Sequence, residues 1–385
     1  MKALVYKGNK DIQLEENWPE PSIVHPHEVK IKVDFCGVCG TDLHEYEEGP
    51  IFFINEAGKD KTNVISHKYY QQAMGHEFCG EIVELGSQTD PNLKVGQKVV
   101  IEATGTCMDR EYLETEEKEK CSSCAQGAYN ACDNIAFYGL GFSDGGFAEY
   151  CVIGDHHVIP YPEDIIPVEI AALTEPLAVA WHGVAKTHVG PQDTALILGA
   201  GPIGLCTIFA LKGHNVKNIV VCEPAHDRRL LAAKFNVTVF DPTPYNHDEE
   251  KLVKALLKLS PSSWGFSRIF DSSGNKETFD ISLGALKTNG IATNLAIWAH
   301  KAMTVYPMDL TLHEKTLTGS MCYTRLDFEE VIEAYKSGLI DPEEVKQLVT
   351  KVCSIDEGVE GGILELINNK DKHIKILIDP RGNKK

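Results

Sequence analysis

Three thiols crowd into twelve residues of this chain, as Cys121-x2-Cys124-x7-Cys132. In a long chain, thiols at that spacing read as ligands of a tetrahedral zinc site, with Cys107 the natural fourth, across a glutamate-rich stretch at 108–120. Four sulfurs leave no coordination position vacant, so such a centre holds structure. A second constellation is dispersed. Cys39 stands in Gly37-Val38-Cys39-Gly40-Thr41-Asp42, His76 and Glu77 follow Gly75, and Glu175 follows Leu173-Thr174. A thiolate, an imidazole and carboxylates suit a zinc ion that keeps one position open to act on an oxygen. Spacing alone leaves a purely structural role open for this second set.

A third pattern belongs to phosphate chemistry. Gly199-Ala200-Gly201-Pro202-Ile203-Gly204 follows the apolar run Thr194–Leu198 and opens a helical period. In that context Gly199 permits a tight turn, Gly201 lets a pyrophosphate approach the backbone, and Gly204 lets helix and strand pack closely. The helix N-terminus, entered through Pro202 and Ile203, adds unused N–H groups and a positive dipole end. Glu223 lies 19 residues beyond Gly204, at the end of the next strand-like run. A carboxylate there accepts hydrogen bonds from ribose hydroxyls and repels a 2′-phosphate, which favours NAD over NADP. Arg228 and Arg229 follow closely, and arginine at this point can hold a 2′-phosphate, so Arg228 counts among the cofactor residues.

The elements that must position these groups fall into two textures. Lys2–Tyr6, Val29–Phe35, Phe78–Leu85, Lys98–Glu102 and Phe147–Ile153 read as short strands between turn residues, which predicts a β-rich domain. Near Ala180 the pattern changes. Thr194–Leu198, Asn218–Cys222, Arg268–Asp271 and Gly290–Ala296 read as strands alternating with helices at Ile203–Lys212, Asp227–Phe235 and Glu277–Leu286. Strict alternation predicts a doubly wound parallel sheet, so the fold class is α/β. Helices are predicted at Asp327–Ser337, Glu343–Thr350 and Glu357–Asn368, then a strand at His373–Ile378. The segments 53–72 and 108–120 read as insertions.

The 385 residues exceed what one hydrophobic core usually serves. The formal charge of −19 counts against nucleic acid and anionic membranes as partners. No apolar run is long enough to span a bilayer, and Met1–Lys10 lacks the apolar core of a signal peptide, so the expected location is the cytosol.

The segments CGVCGTDLHEYEEGPIF (36–52), AMGHEFCGEIVELG (73–86), GGFAEYCV (145–152), AALTEPLAVAWH (171–182) and GAGPIGLC (199–206) resemble the zinc-containing medium-chain alcohol and polyol dehydrogenases. The resemblance covers nearly the whole chain. It is strongest to the polyol branch and, by overall similarity, to fungal (R,R)-2,3-butanediol dehydrogenases. It implies a GroES-like catalytic domain over 1–180, a Rossmann NAD domain over 181–320, and a return to the catalytic part over 321–385. Cys39 and His76 match the catalytic zinc ligands, Glu175 matches a carboxylate that approaches the zinc directly or through water, and Glu77 matches a ligand or close neighbour. Which carboxylate binds at rest stays open. Two departures stand out: His76 lies 37 residues after Cys39, and the gap from Cys107 to Cys121 is long.

The implied reaction is NAD-linked oxidation of a secondary alcohol or vicinal diol to a ketone, and its reverse, with butane-2,3-diol and acetoin the expected pair. Thr41 is expected to pass on the hydroxyl proton, with the ribose and His44 completing a relay, and Asp42 to fix the tautomer of His76. A sorbitol-, xylitol- or threonine-type dehydrogenase is the nearest rival. Phe52, Phe53, Trp181 and Ile297 are candidate pocket residues, each equally suited to a core. Zinc-free quinone reductases share the fold, but Cys39 and the cysteine cluster argue against that class. A non-catalytic use of the fold is disfavoured by the intact metal and relay residues. The expected assembly is a homodimer.

Overall fold

The computed structural model describes residues 1–52, 62–113, 115, 118–245, 248–298 and 303–382, and the candidate pocket residue Phe53 lies outside them. The chain divides into two compact units. One takes Met1–Glu175, Thr324–Ile332 and Val349–Lys385, and the other takes Pro176–Tyr323 and Glu333–Leu348.

The first unit is built on a seven-stranded sheet. Its long central strand, Glu28–Gly37, pairs antiparallel with Glu77–Leu85, Tyr150–Gly154 and Lys375–Asp379. Val29, Ile31 and Val33 alternate inward and are fully buried, the period-2 pattern of a strand with one core face. Lys375–Asp379 is the parallel neighbour of Val349–Ser354, a segment whose first residues were expected to end a helix. Leu377 pairs with Gly37 and Ile378 with Cys36, so a strand near residue 378 lies beside the one that leads into Cys39.

The second unit carries a six-stranded parallel sheet in the spatial order Thr238–Phe240, Asn218–Cys222, Thr194–Leu198, Phe266–Asp271, Leu286–Asn294, Thr316–Gly319. In sequence order that is 3-2-1-4-5-6, the doubly wound arrangement that the alternating pattern predicted. Ala195, Leu196, Ile197 and Leu198 are all wholly buried, because helices cover both faces of such a sheet. Phe209, from the covering helix Pro202–Gly213, meets Phe235, just past the end of the helix His226–Ala233, with ring centroids 4.9 Å apart. Among the described residues, no helix is long and apolar enough to cross a membrane.

Candidate active site and metal centres

Cys39 ends the turn after the central strand and caps a helix, Gly40–Glu48, that sequence reading did not anticipate. Asp42, fully buried in the first turn, accepts a hydrogen bond from the Cys39 backbone N–H at 2.9 Å. That fixes the thiol at the helix N-terminus, where a negative charge is stabilised. The other Asp42 oxygen lies 3.4 Å from His76 Nδ1. Thr41 Oγ1 is 3.6 Å from Cys39 Sγ, and His44, three residues on, is exposed to solvent. His76 arrives from the opposite side. Gly75, at φ 91°, makes the turn that carries His76 to the start of the strand Glu77–Leu85, and a side chain there would run into Phe147 and Cys36.

Ligand atoms of Cys39, His76 and Glu77 lie within 4.8 Å of one another. Glu77 is not idle. Both of its carboxylate oxygens accept from Lys375 Nζ, at 2.7 and 2.6 Å, and the same ammonium donates to Val38 O at 3.2 Å. Both partners are almost wholly buried. Glu175, also buried, is not in the Cys39–His76–Glu77 group but is near enough to help hold the Lys375 ammonium charged. Lys375 was not anticipated from the sequence. Two buried carboxylates (Glu77, Glu175) and the Cys39 thiol thus bear on one buried ammonium, and a third buried carboxylate, Asp42, stands beside His76. Burial alone would lower the His76 pKa, yet Asp42 and Cys39 beside it push it well up. His76 Nδ1 and Asp42 Oδ1 are both buried without a hydrogen-bond partner. A pocket this negative, with an orphaned donor–acceptor pair, fits a divalent cation that restores charge balance.

Aromatic rings border this group. Phe137 lies 5.8 Å from the His76 ring, and Phe52 meets Phe137 edge-on at 5.8 Å. Phe137 was also not anticipated. Trp181, by contrast, is a core residue of the second unit, packed on His214 at 4.4 Å, and Ile297 is largely exposed.

The four clustered thiols also converge. Cys107, Cys121, Cys124 and Cys132 have their sulfurs within 4.8 Å of one another, with Cys132 Sγ 3.5 Å from Cys107 Sγ and 3.8 Å from Cys121 Sγ. Zinc–sulfur bonds of about 2.3 Å put tetrahedral sulfurs roughly 3.8 Å apart, so this cage fits the metal. The backbone N–H groups of Cys107 and Asn134 both donate to Cys132 Sγ at 3.4 Å, which suits a thiolate. None of the twelve cysteines is in a disulfide.

In the second unit a cavity of about 500 Å³ opens at the glycine-rich turn, lined by Gly199, Gly201, Glu223, Arg228, Ser272 and Asn275 among others. Gly199 turns at φ 95°. A methyl on Gly204 would strike the Gly199 carbonyl, whereas a methyl on Gly201 would meet only Arg228 Nη1, at 4.0 Å. Pro202 opens the helix Pro202–Gly213 with Ile203 behind it, and Gly201 is its N-cap. Glu223 is buried at the mouth of this turn. Its Oε2 accepts from Ala200 N–H at 2.6 Å and its Oε1 from Ala225 N–H at 2.8 Å. Arg229 turns away, bonded to Asp241 at 2.7 Å and to the Glu223 carbonyl at 2.8 Å, so Arg228 is the one of the two that lines the cavity.

Comparison with known proteins agrees with this geometry. Residues 25–163 match the alcohol dehydrogenase GroES-like domain, and residues 202–337 match the zinc-binding dehydrogenase domain. The chain is 44% identical over its full length to 91% of a probable diacetyl reductase [(R)-acetoin forming] of Saccharomyces cerevisiae. It is 42% identical, again over its full length, to 99% of an (R,R)-butanediol dehydrogenase of the same yeast. Among solved structures, 2R,3R-butanediol dehydrogenase from Bacillus subtilis superposes with a TM-score of 0.84 at 31% identity, covering 98% of this chain and 99% of that one. With both domain types matched in order and thiol, imidazole and glycine-rich turn in place, the chain belongs to the zinc-dependent alcohol dehydrogenase family.

Proposed function

We propose that this enzyme oxidises (R,R)-butane-2,3-diol to (R)-acetoin with NAD, and runs the reverse reduction. The convergence of Cys39, His76 and Glu77, with ligand atoms within 4.8 Å of one another and the last two buried, carries the proposal. The substrate follows from the relatives' names and from the wall beside His76. Phe137 and Phe52 present ring carbon, which suits the methyl groups of butane-2,3-diol better than the hydroxyls of a sugar alcohol. Bound Zn²⁺ supplies a Lewis acid that makes a substrate hydroxyl acidic near neutral pH, and bound NAD supplies the hydride acceptor.

The chain's own groups do the rest. Cys39 Sγ and His76 hold the metal, with Glu175 the third protein ligand. Glu77 is kept back from the resting ligand set because Lys375 occupies both of its oxygens. Asp42 faces Nδ1 of His76 and so leaves Nε2 to the metal. Thr41 Oγ1 accepts the substrate proton as it passes its own on, and His44, one helical turn on, releases a proton to water. Glu223 accepts from the adenosine ribose and selects NAD. Cys107, Cys121, Cys124 and Cys132 hold a second, structural zinc. The enzyme is placed in the cytosol, a reducing compartment that suits twelve unbridged cysteines. It is a dimer formed along the strand Thr316–Gly319, whose outer side pairs with no strand among the described residues.

The test compares wild type, Cys39→Ala and His44→Gln for zinc content and for rates on the butanediol stereoisomers, sorbitol and threonine, with NAD and with NADP. The expected result is one zinc fewer and no turnover for Cys39→Ala. His44→Gln should be slowed at neutral pH and partly recover at higher pH. Full turnover by Cys39→Ala, or preference for sorbitol, overturns the reading.

A further inference from the structure

Three more donor atoms converge in the first unit, outside both centres described above. Asp109 Oδ1 lies 2.6 Å from His157 Nε2 and 3.1 Å from His156 Nε2. The three side chains form a further group whose ligand atoms fall within 4.8 Å of one another. We propose that Asp109, His156 and His157 bind an additional divalent cation of the zinc class, at a site distinct from the cysteine cage and from the Cys39–His76 centre.

The scaffold holds the donors in place. Asp109 starts a short helix, Asp109–Tyr112, and its other oxygen accepts from Thr106 N–H at 2.7 Å, which fixes the carboxylate. His156 and His157 sit on the single turn Asp155–His157, between the strands Tyr150–Gly154 and Val158–Pro160. The His157 carbonyl is tied to Glu102 N–H at 3.0 Å. Two imidazole nitrogens and one carboxylate oxygen are the donor set of an open zinc site.

The second nitrogens of the rings bear on the choice. As hydrogen bonds alone, two rings aim at one oxygen, and Nδ1 of each is buried without a hydrogen-bond partner. A buried polar atom left without a partner is costly. With a cation at the Nε2 atoms, the protons move to Nδ1, and in His156 that nitrogen faces Asp155 Oδ1 at 3.8 Å. Asp155 is itself anchored by Asp90 N–H at 2.8 Å. A carboxylate behind the ligating imidazole is the usual outer support of a metal-bound histidine. Ligands about 2.0–2.1 Å from a tetrahedral ion stand roughly 3.3 Å apart, so His156 is nearly placed and His157 has to withdraw by about 0.7 Å. The His156 side chain is 23% exposed and stacks on Tyr112 at 3.8 Å, which gives the ion a way in. An ion here would pin the short helix that follows Cys107 to the two strands flanking the turn.

The test uses the full-length enzyme with its metals, dialysed against Zn²⁺, with metal content measured per chain for wild type and His156→Gln. The wild type should hold one equivalent more than the variant. Its Tm should also rise on adding Zn²⁺ beyond the amount the variant binds, with no such rise in His156→Gln. His156 is partly exposed, so the variant is expected to fold, and an unchanged Tm at low Zn²⁺ checks this. Equal zinc content in the two proteins overturns the proposal, as does an equal Tm response.

Discussion

Lys375 shows how one side chain decides the character of a site. It is buried beside Glu77 and bonded to both of its carboxylate oxygens. Breaking a buried pair from one side leaves an uncompensated charge and costs about 3–5 kcal/mol. Lys375→Met is therefore expected to lose stability on that scale in denaturant unfolding. The double variant Lys375→Met with Glu77→Gln should recover most of the loss, since no charge is then stranded. A Lys375→Met protein as stable as its parent would contradict the pairing. The sequence hid this residue for a physical reason. In the strand expected at His373–Ile378, Ile374, Ile376 and Ile378 share one face while His373 and Lys375 begin the other, so Lys375 reads as facing water. Both faces of that strand are buried, with Lys375, Ile376, Leu377 and Ile378 all 3% exposed or less. Alternation reports one solvated face, and here there is none. The four clustered cysteines were legible because thiols have few other uses at such spacing, whereas Cys39 and His76 were singled out only by the motifs that carry the family resemblance. Phe137 was not, since nothing in its neighbourhood marks an aromatic as facing a site.

At the scale of the element, the turn from strand Thr194–Leu198 into helix Pro202–Gly213 gives two glycines different duties. A methyl at Gly204 collides with backbone, so Gly204→Ala should lower stability by about 1–3 kcal/mol, the usual penalty of overpacking. A methyl at Gly201 meets only the end of Arg228, so Gly201→Ala should fold with an unchanged Tm. It would instead stand where the pyrophosphate approaches, and the KM for NAD should rise about tenfold, roughly 1.4 kcal/mol. Equal effects of the two substitutions on Tm would remove the distinction. This element was readable in advance because its strand, turn and helix signals agree with one another. Two others were not. Gly40–Glu48 opens on a glycine and runs through Glu45-Tyr46-Glu47-Glu48 with little apolar periodicity, so its helix rests on the Asp42 cap and on packing of Leu43. Val349–Ser354 has β-branched Val349, Thr350 and Val352 to mark it, but the helix expected at Glu343–Thr350 ran into its first residues, and its pairing with Lys375–Asp379 decides its state.

For the molecule as a whole, the strand Thr316–Gly319 lies at one edge of the six-stranded sheet, and Tyr306, Met308 and Leu312 nearby are each more than half exposed. A bare edge beside apolar side chains invites a second copy. On the dimer proposed along this edge, replacing Met308 and Leu312 together by Asp should lower the mass in sedimentation analysis to that of a monomer, and an unchanged mass would rule this edge out as the interface. The two-texture architecture was legible because strand-only and strand–helix patterns differ over a hundred residues at a time. The pairing of strand Lys375–Asp379 with Glu28–Gly37 was not, since it joins segments more than three hundred positions apart. That pairing has a consequence for synthesis. A ribosome finishes Cys39 and His76 early, yet the ammonium that neutralises Glu77 is translated only after the entire nucleotide-binding unit. Until then the nascent chain holds a carboxylate with no counter-ion in what will become its interior. Closure of the sheet beside that centre is thus a late event in the birth of the enzyme, whereas all four clustered cysteines have been translated by residue 132.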